Sequence, residues 1–293
     1  MQTLGSGTLH IKKQSGIWRA RRLFWAICLL GSMFAVATGT AQCEEKPARS
    51  MDAVFHPDAF APFAQAPNIT AAEFERLWRE NPAWILANLA HAAYHPEKAV
   101  IALMTCCGAK SCRVYDQDGA SAFLAIWPDK AILSFRGTQA QSSEDLAADL
   151  LFLPTPYGAS TVHTGFLMEI NKVWPRIESD LKKEISNKSS PIPVWATGHS
   201  LGGAMATLAG MRFEFQAVVT FGEPPVGRNI EKTFISKRHL RYVNGEDPIS
   251  NLPEIFSNYF GEPLQLNNAD GLADWHYDHA ISYYAENLFR KRP

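Results

Sequence analysis

Apolar residues recur at two spacings along this chain, and the places where the spacing changes mark its elements. After a Pro- and Ala-rich approach, FHPDAFAPFAQAP, Thr70 and Glu73 form a T-x-x-E capping pattern. It predicts a helix with Phe74, Leu77 and Trp78 on one face. Asn81 before Pro82 predicts the start of a second helix. Three strand-like runs follow, Arg113 to Asp116, Ser121 to Trp127 and Ala131 to Phe135, separated by the turn signals DQDGA and PDK. They predict an antiparallel meander. From Gly165 to Ile185 the period is helical again, with Phe166, Ile170, Val173, Trp174, Ile177 and Leu181 in step and Pro175 expected to kink the helix. Beyond it, the β-rich runs PVWAT, AVVTF and LRYVN alternate with stretches of helical length. That alternation predicts an α/β fold, a mostly parallel sheet covered by helices on both faces.

Composition sharpens this picture. With 293 residues, 46% hydrophobic and 19% charged, and no internal repeat, the chain can bury the core of one large domain. Its 28 Lys and Arg balance 29 Asp and Glu, so no basic field points to a nucleic-acid partner. The exception is the N-terminus, where Lys12, Lys13, Arg19, Arg21 and Arg22 precede an uncharged apolar stretch from Leu23 to Ala37 and then ATGTAQ. This reads as an export signal over residues 1–41, cleaved after Ala41, or as an uncleaved membrane anchor, with the globular domain at 50–293. Removing the signal takes Cys28 and leaves Cys43, Cys106, Cys107 and Cys112, an even set able to form two disulfides in an oxidising compartment. A metal site in CCGAKSC is disfavoured, because adjacent cysteines rarely reach one ion and no C-x-x-C pair is present.

The sharpest chemical signal is ATGHSLGGAMATLAG, Ala196 to Gly210, where an apolar strand runs into a small-residue helix. G-x-S-x-G at a strand-to-helix junction is a nucleophile elbow, with Ser200 in a strained turn and glycines where a Cβ would collide. The helix N-terminus beyond it offers N–H groups to any developing negative charge. A reactive serine needs a histidine to take its proton and a carboxylate to orient that histidine. In the chain order serine, acid, histidine, the acid is Asp247, at the end of LRYVNGEDP, or Glu223 in TFGEPP. His239 precedes a strand, which leaves His276 and His279 as candidate bases.

Between Leu86 and Leu288 the blocks LAHAAYH, AILSFRGTQ, DLAADL, VHTGFL, ATGHSLGGAMATLA, VVTFGEPPVG and RYVNGEDPISNLP resemble, in order, those of the class 3 (fungal lipase-like) lipases. The resemblance implies a cofactor-free hydrolase of carboxylic esters, with Ser200 as nucleophile, Asp247 as acid and His279 as base. It further implies that Thr138 gives its backbone N–H and hydroxyl to the oxyanion, with the second N–H from Leu201. The partner so implied is a lipid or other acyl ester; an acyltransferase, a phospholipase and a non-catalytic lipid-binding protein are the alternatives. Glu223 departs from the family's small or neutral residue, and either perturbs the site's charge or faces a basic neighbour such as Arg228.

Other polar residues carry plainer readings. His199 is expected to pack beneath the site, and His163 to be structural in the same way. His276 and His279 lack the i, i+4 spacing of a helical metal-ligand pair. Asp145 and Asp149, on a predicted EDLAADLLF helix, read as solvated or capping residues. Between Thr138 and His163 the resembled family carries a lid over the serine; here QAQSSEDLAAD offers Leu146 as its only large apolar side chain. Such a segment gains little by inserting into oil, so weak interfacial activation is expected.

Overall fold

The structure, a computed structural model, describes residues 52–138, 153–186, 191–252, 258–266 and 275–291. These belong to one unit, Arg49–Pro293. The predicted export segment with Cys28, Cys43 beyond it, and the predicted lid segment with Asp145, Leu146 and Asp149 lie outside the described residues. Among the described residues no helix is long and apolar enough to cross a membrane.

The predicted caps form the first helices. A short helix, α1 (Asp52–Phe55), precedes α2 (Ala71–Glu80), where the Thr70 hydroxyl accepts from the Glu73 N–H at 3.3 Å. The Asn81 side chain likewise accepts from the Trp84 N–H at 3.1 Å and opens α3 (Pro82–Ala92). A further helix, α4 (Glu97–Cys106), lacks a clean apolar period, since EKAVIALMTC buries only Val100 and Met104. Then β1 (Ser111–Gln117), β2 (Ala120–Ile126) and β3 (Ala131–Phe135) form the antiparallel meander.

Helix α5 (Thr164–Leu181) buries all six of its predicted core residues and runs through Pro175 into a π-turn at Lys182–Ser186. Strand β6 (Val194–His199) pairs parallel with β3 and leads into α6 (Leu201–Gly210). The parallel succession continues through β7 (Ala217–Phe221) and β9 (His239–Asn244) to β10 (Glu262–Leu266), giving the sheet order β1-β2-β3-β6-β7-β9-β10. A small antiparallel sheet joins β4 (Pro154–Tyr157), β5 (Ser160–His163) and the two-residue β8 (Gly227–Arg228). The helices α7 (Trp275–Asp278) and α8 (Ile281–Arg290) follow.

Both faces of the main sheet are covered. Phe74, Leu77, Trp84, Leu89, Met104, Tyr284 and Leu288 pack one side, and Phe166, Ile170, Ile177, Met205 and Leu208 the other. Cys106, Cys107 and Cys112 are free thiols. Two disulfides among four cysteines would need at least one bond within this trio, so the two-disulfide expectation fails. Cys106 is exposed while its neighbour Cys107 is buried, its carbonyl accepting from Trp127 Nε1 at 2.9 Å. Burial raises the Cys107 and Cys112 thiols to about 12, which suppresses the thiolate that disulfide exchange requires.

His91 ties α3 to the segment before it, its Nε2 donating to the Pro57 carbonyl at 2.8 Å. Burial, aided by His95, lowers His91 to about 4, against a partial restoring effect from the Pro57 carbonyl. The neutral ring is therefore favoured in the folded state. The unfolded chain binds the proton more tightly, so stability is full above about pH 6.5 and is lost as pH falls toward 4. We expect unfolding free energies from urea titrations to drop by up to about 3 kcal/mol between those limits on account of His91. His91→Gln should flatten that part of the slope, and an unchanged slope would exclude His91 as its source.

Candidate active site

Three segments brought together at the carboxyl end of the sheet make the site. Between β6 and α6, Ser200 has φ 55° and ψ −127°, a conformation L-residues avoid. The turn is held by close approach: a Cβ on Gly198 would lie 2.2 Å from the Gly202 carbonyl oxygen, and one on Gly202 would lie 2.3 Å from that of Phe135. This is the crowding that the elbow pattern predicts. Ser200 is 3% exposed, and its Oγ lies 3.0 Å from His279 Nε2.

His279 sits in the two-residue gap between α7 and α8. Its Nδ1 lies 3.0 Å from each Asp247 oxygen, which assigns the Nδ1–H to the carboxylate and leaves Nε2 to accept from the serine hydroxyl. Asp247 follows β9 by three residues and is fully buried. Its carboxylate also accepts from Tyr284 Oη at 2.6 Å, the Ile249 N–H at 2.8 Å and Ser250 Oγ at 3.3 Å. Burial alone would raise its pKa, but the neighbouring His279 and the hydrogen bonds from His279, Tyr284 and Ile249 together hold it below the usual carboxylate value. Burial, followed by the Asp247 charge, pushes the Tyr284 phenol well above its usual value, so it remains a donor.

His199 lies beneath this pair. Its Nε2 donates to the His279 carbonyl at 2.7 Å, its Nδ1 accepts from Tyr94 Oη at 2.9 Å, and its ring is 4.6 Å from that of His279. Burial, then the adjacent His279, lowers its pKa well below the usual imidazole value, which keeps it uncharged and structural, as expected. Tyr94 in turn touches the loop after β3: a Cβ on Gly137 would fall 2.2 Å from its hydroxyl. That contact lies next to Thr138, whose Oγ1 is enclosed and has no hydrogen-bond partner among the described residues.

Thr138, Gly137, Leu201, Met205 and Phe166 line a cavity of about 380 Å³, with Asp118, Arg136 and Glu169 among its charged lining residues. As the first residue of α6, Leu201 has an N–H with no i−4 carbonyl within the helix.

All five predicted site residues are thus placed: Ser200, His279 and Asp247 in one hydrogen-bonded chain, Thr138 and Leu201 together on the cavity wall. Glu223 is buried elsewhere, bonded to Thr207, Thr220 and His239. His163 caps α5, its Nδ1 accepting from the Gly165 N–H at 3.0 Å. His276 lies on α7, and its side chain is outside the described residues. Sequence reasoning missed Tyr94, Ser250 and Tyr284. For Tyr284 a signal existed, the buried spacing of Ile281, Tyr284, Ala285 and Leu288, but it marks burial without revealing a hydrogen-bond target.

A mostly parallel sheet whose strained serine is joined through a histidine to a buried carboxylate is the arrangement of the α/β-hydrolase fold. Residues 132–257 match the family described as Lipase (class 3), and the chain is similar to that class 3 lipase-like family over this stretch. It is 34% identical over 109 residues to secreted mono- and diacylglycerol lipase 1 of Fusarium solani, covering 33% of this chain and 31% of that one. It is 33% identical over 150 residues to a chloroplastic phospholipase A(1) of Arabidopsis thaliana, covering 42% and 34%. The chain therefore spans about a third of the length of these curated relatives. The solved structure of the native Rhizomucor miehei lipase propeptide complex shares the fold, with a TM-score of 0.52, 21% identity, and coverage of 72% of this chain and 78% of that one.

Tyr284→Phe should isolate the support given to Asp247. It removes a hydrogen bond to a buried charge and the acceptor that the Asn244 N–H uses at 3.1 Å, while keeping the ring. We expect a loss of about 1–3 kcal/mol in denaturant unfolding at pH 7. A loss within error of zero would show that the phenol does not stabilise the carboxylate.

Proposed function

We propose that this protein is an exported serine hydrolase that cleaves carboxylic esters of acyl glycerides or related lipids through an acyl-enzyme. The observation that carries the reading is the unbroken chain from Ser200 Oγ through His279 to Asp247, each link at 3.0 Å. Ser200 Oγ attacks the ester carbonyl carbon while its proton passes to His279 Nε2. The carbonyl oxygen becomes an oxyanion, which takes hydrogen bonds from the Thr138 and Leu201 N–H groups and from the Thr138 hydroxyl. Collapse expels the alcohol with the proton from His279. Water then attacks the acyl-enzyme, giving its proton to His279, and the acid leaves as Ser200 recovers that proton.

The enclosed Thr138 Oγ1, without a partner among the described residues, supports its place in the oxyanion site, because a buried hydroxyl without a partner is unusual unless a ligand supplies one. The cavity beside it has the size of a small ligand pocket and mixes apolar with charged lining, which favours dispersed short to medium acyl esters. Export is supported by the basic and apolar pattern of residues 1–41 and by relatives named as secreted lipases.

The test uses the purified protein with nitrophenyl esters, triglycerides and phospholipids, each taken through its solubility limit. We expect hydrolysis without a sharp rise when droplets form, and labelling of Ser200 by an organophosphonate. Ser200→Ala and His279→Ala should abolish turnover to a similar degree, with His276→Ala mild, because triad members act as a unit. A folded Ser200→Ala protein with near-normal turnover would overturn the mechanism.

Thr138→Val separates hydroxyl from backbone. It keeps shape and N–H, and we expect kcat to fall about a hundredfold or more. An unchanged rate would leave an oxyanion site built of backbone N–H groups alone.

A further inference from the structure

A second carboxylate–histidine pair lies in the fold, and the reaction above does not use it. Glu223 follows Gly222 at the end of β7 and is 2% exposed. Its Oε1 accepts from Thr207 Oγ1 at 2.5 Å, and its Oε2 accepts from Thr220 Oγ1 at 2.5 Å and His239 Nε2 at 3.1 Å. Those partners stand on α6, β7 and β9, so one carboxylate ties the elbow helix to two strands. His239 Nε2 is also 3.1 Å from Thr207 Oγ1, while its Nδ1 is enclosed without a partner among the described residues. The Phe234 and Phe260 rings lie 5.6 and 5.4 Å from the imidazole. Acid, histidine and hydroxyl are all present here, yet all are closed off from solvent. The cluster therefore cannot receive a substrate, and its role has to be exerted through its neighbours.

Those neighbours are the reacting groups' supports. On one side, Gly203 of α6 is seated against the cluster: a Cβ there would lie 3.2 Å from Glu223 Cβ and 3.3 Å from Thr220 Cβ. On the other side, a Cβ on Gly222 would lie 2.9 Å from Asp247 Oδ2 and 3.0 Å from the His279 ring. The strained φ of Ser200 would relax if the first turn of α6 could shift, so something must fix that helix against the sheet. A buried carboxylate is costly to desolvate, and three donors converging on it from separate elements make its position hard to change.

We propose that Glu223, held by His239, is a positioning residue: it locks α6 so that Ser200 Oγ and the Leu201 N–H aim at one point, and sets Gly222 against the Asp247–His279 pair. This inference rests on the proposed role of Ser200.

The test compares wild type with Glu223→Ala, Glu223→Gln and Thr207→Val. It follows kcat and KM on a soluble nitrophenyl ester, the rate of Ser200 phosphonylation by a small organophosphonate, and thermal midpoints. We expect Glu223→Ala to lower kcat by about ten- to a hundredfold with KM changed by less than about twofold. Phosphonylation should slow in parallel. Glu223→Gln should recover most of the rate, because its amide oxygen still accepts from a threonine and from His239, and Thr207→Val should lose rate in the same direction. A lower midpoint with wild-type kcat and phosphonylation would overturn the proposal and leave Glu223 a purely structural residue. If Glu223→Ala does not fold, wild-type rates in both other variants overturn it equally. Failure of the phosphonate to label wild type would instead remove the Ser200 reading, and the inference with it.

Discussion

Ser200 occupies a backbone conformation that costs about 1–3 kcal/mol and persists only where its surroundings over-determine it. The surroundings here are explicit. The Ser200 N–H donates to the Phe221 carbonyl at 2.9 Å, and its own carbonyl accepts from Gly203 and Ala204. Glycines at 198 and 202 let strand, turn and helix close on one another without side chains between them. The rigid sheet therefore sets the direction of one hydroxyl, and the other groups of the site need only meet it.

The second constraint is electrostatic. Burial alone pushes Asp247 toward its protonated form; its charge is favoured because His279 Nδ1, a phenol, a serine hydroxyl and a backbone N–H surround the carboxylate. His199, only 4.6 Å from His279, is kept neutral by its own burial, so it offers no competing base and no repelling charge to an imidazolium at His279. Two histidines in contact thus take opposite parts because only one of them faces a carboxylate.

Much of this was legible in the chain because the relevant signals are local. The capping residues Thr70 and Asn81, the meander turns and the G-x-S-x-G elbow each encode their conformation within a few residues, and all lie where the sequence places them. Chain order and strand ends narrow the acid to Asp247 or Glu223, the class 3 lipase resemblance points to Asp247, and the geometry joins Asp247 to His279. What escaped was non-local or short. Strand β4 reads PTPY and β8 has two residues, too little for a period of two to register. Helix α4 is apolar on several sides, which blurs its period. Tyr284 reaches Asp247 across 37 residues of sequence, and Glu223 finds His239 across 16; no spacing rule connects such pairs before the fold does.

The docking of α8 carries a consequence in time. His279 stands just before that helix and Tyr284 within it, and the Asn81 side chain donates to the Leu288 carbonyl, joining segments 207 residues apart. An emerging polypeptide therefore holds Ser200 long before it holds a base for it. In the folded chain, His279 and the Tyr284 that holds Asp247 are placed by the packing of α8 against α3. Serine, histidine and carboxylate thus come into one hydrogen-bonded chain only when the fold has closed on both sides of the sheet.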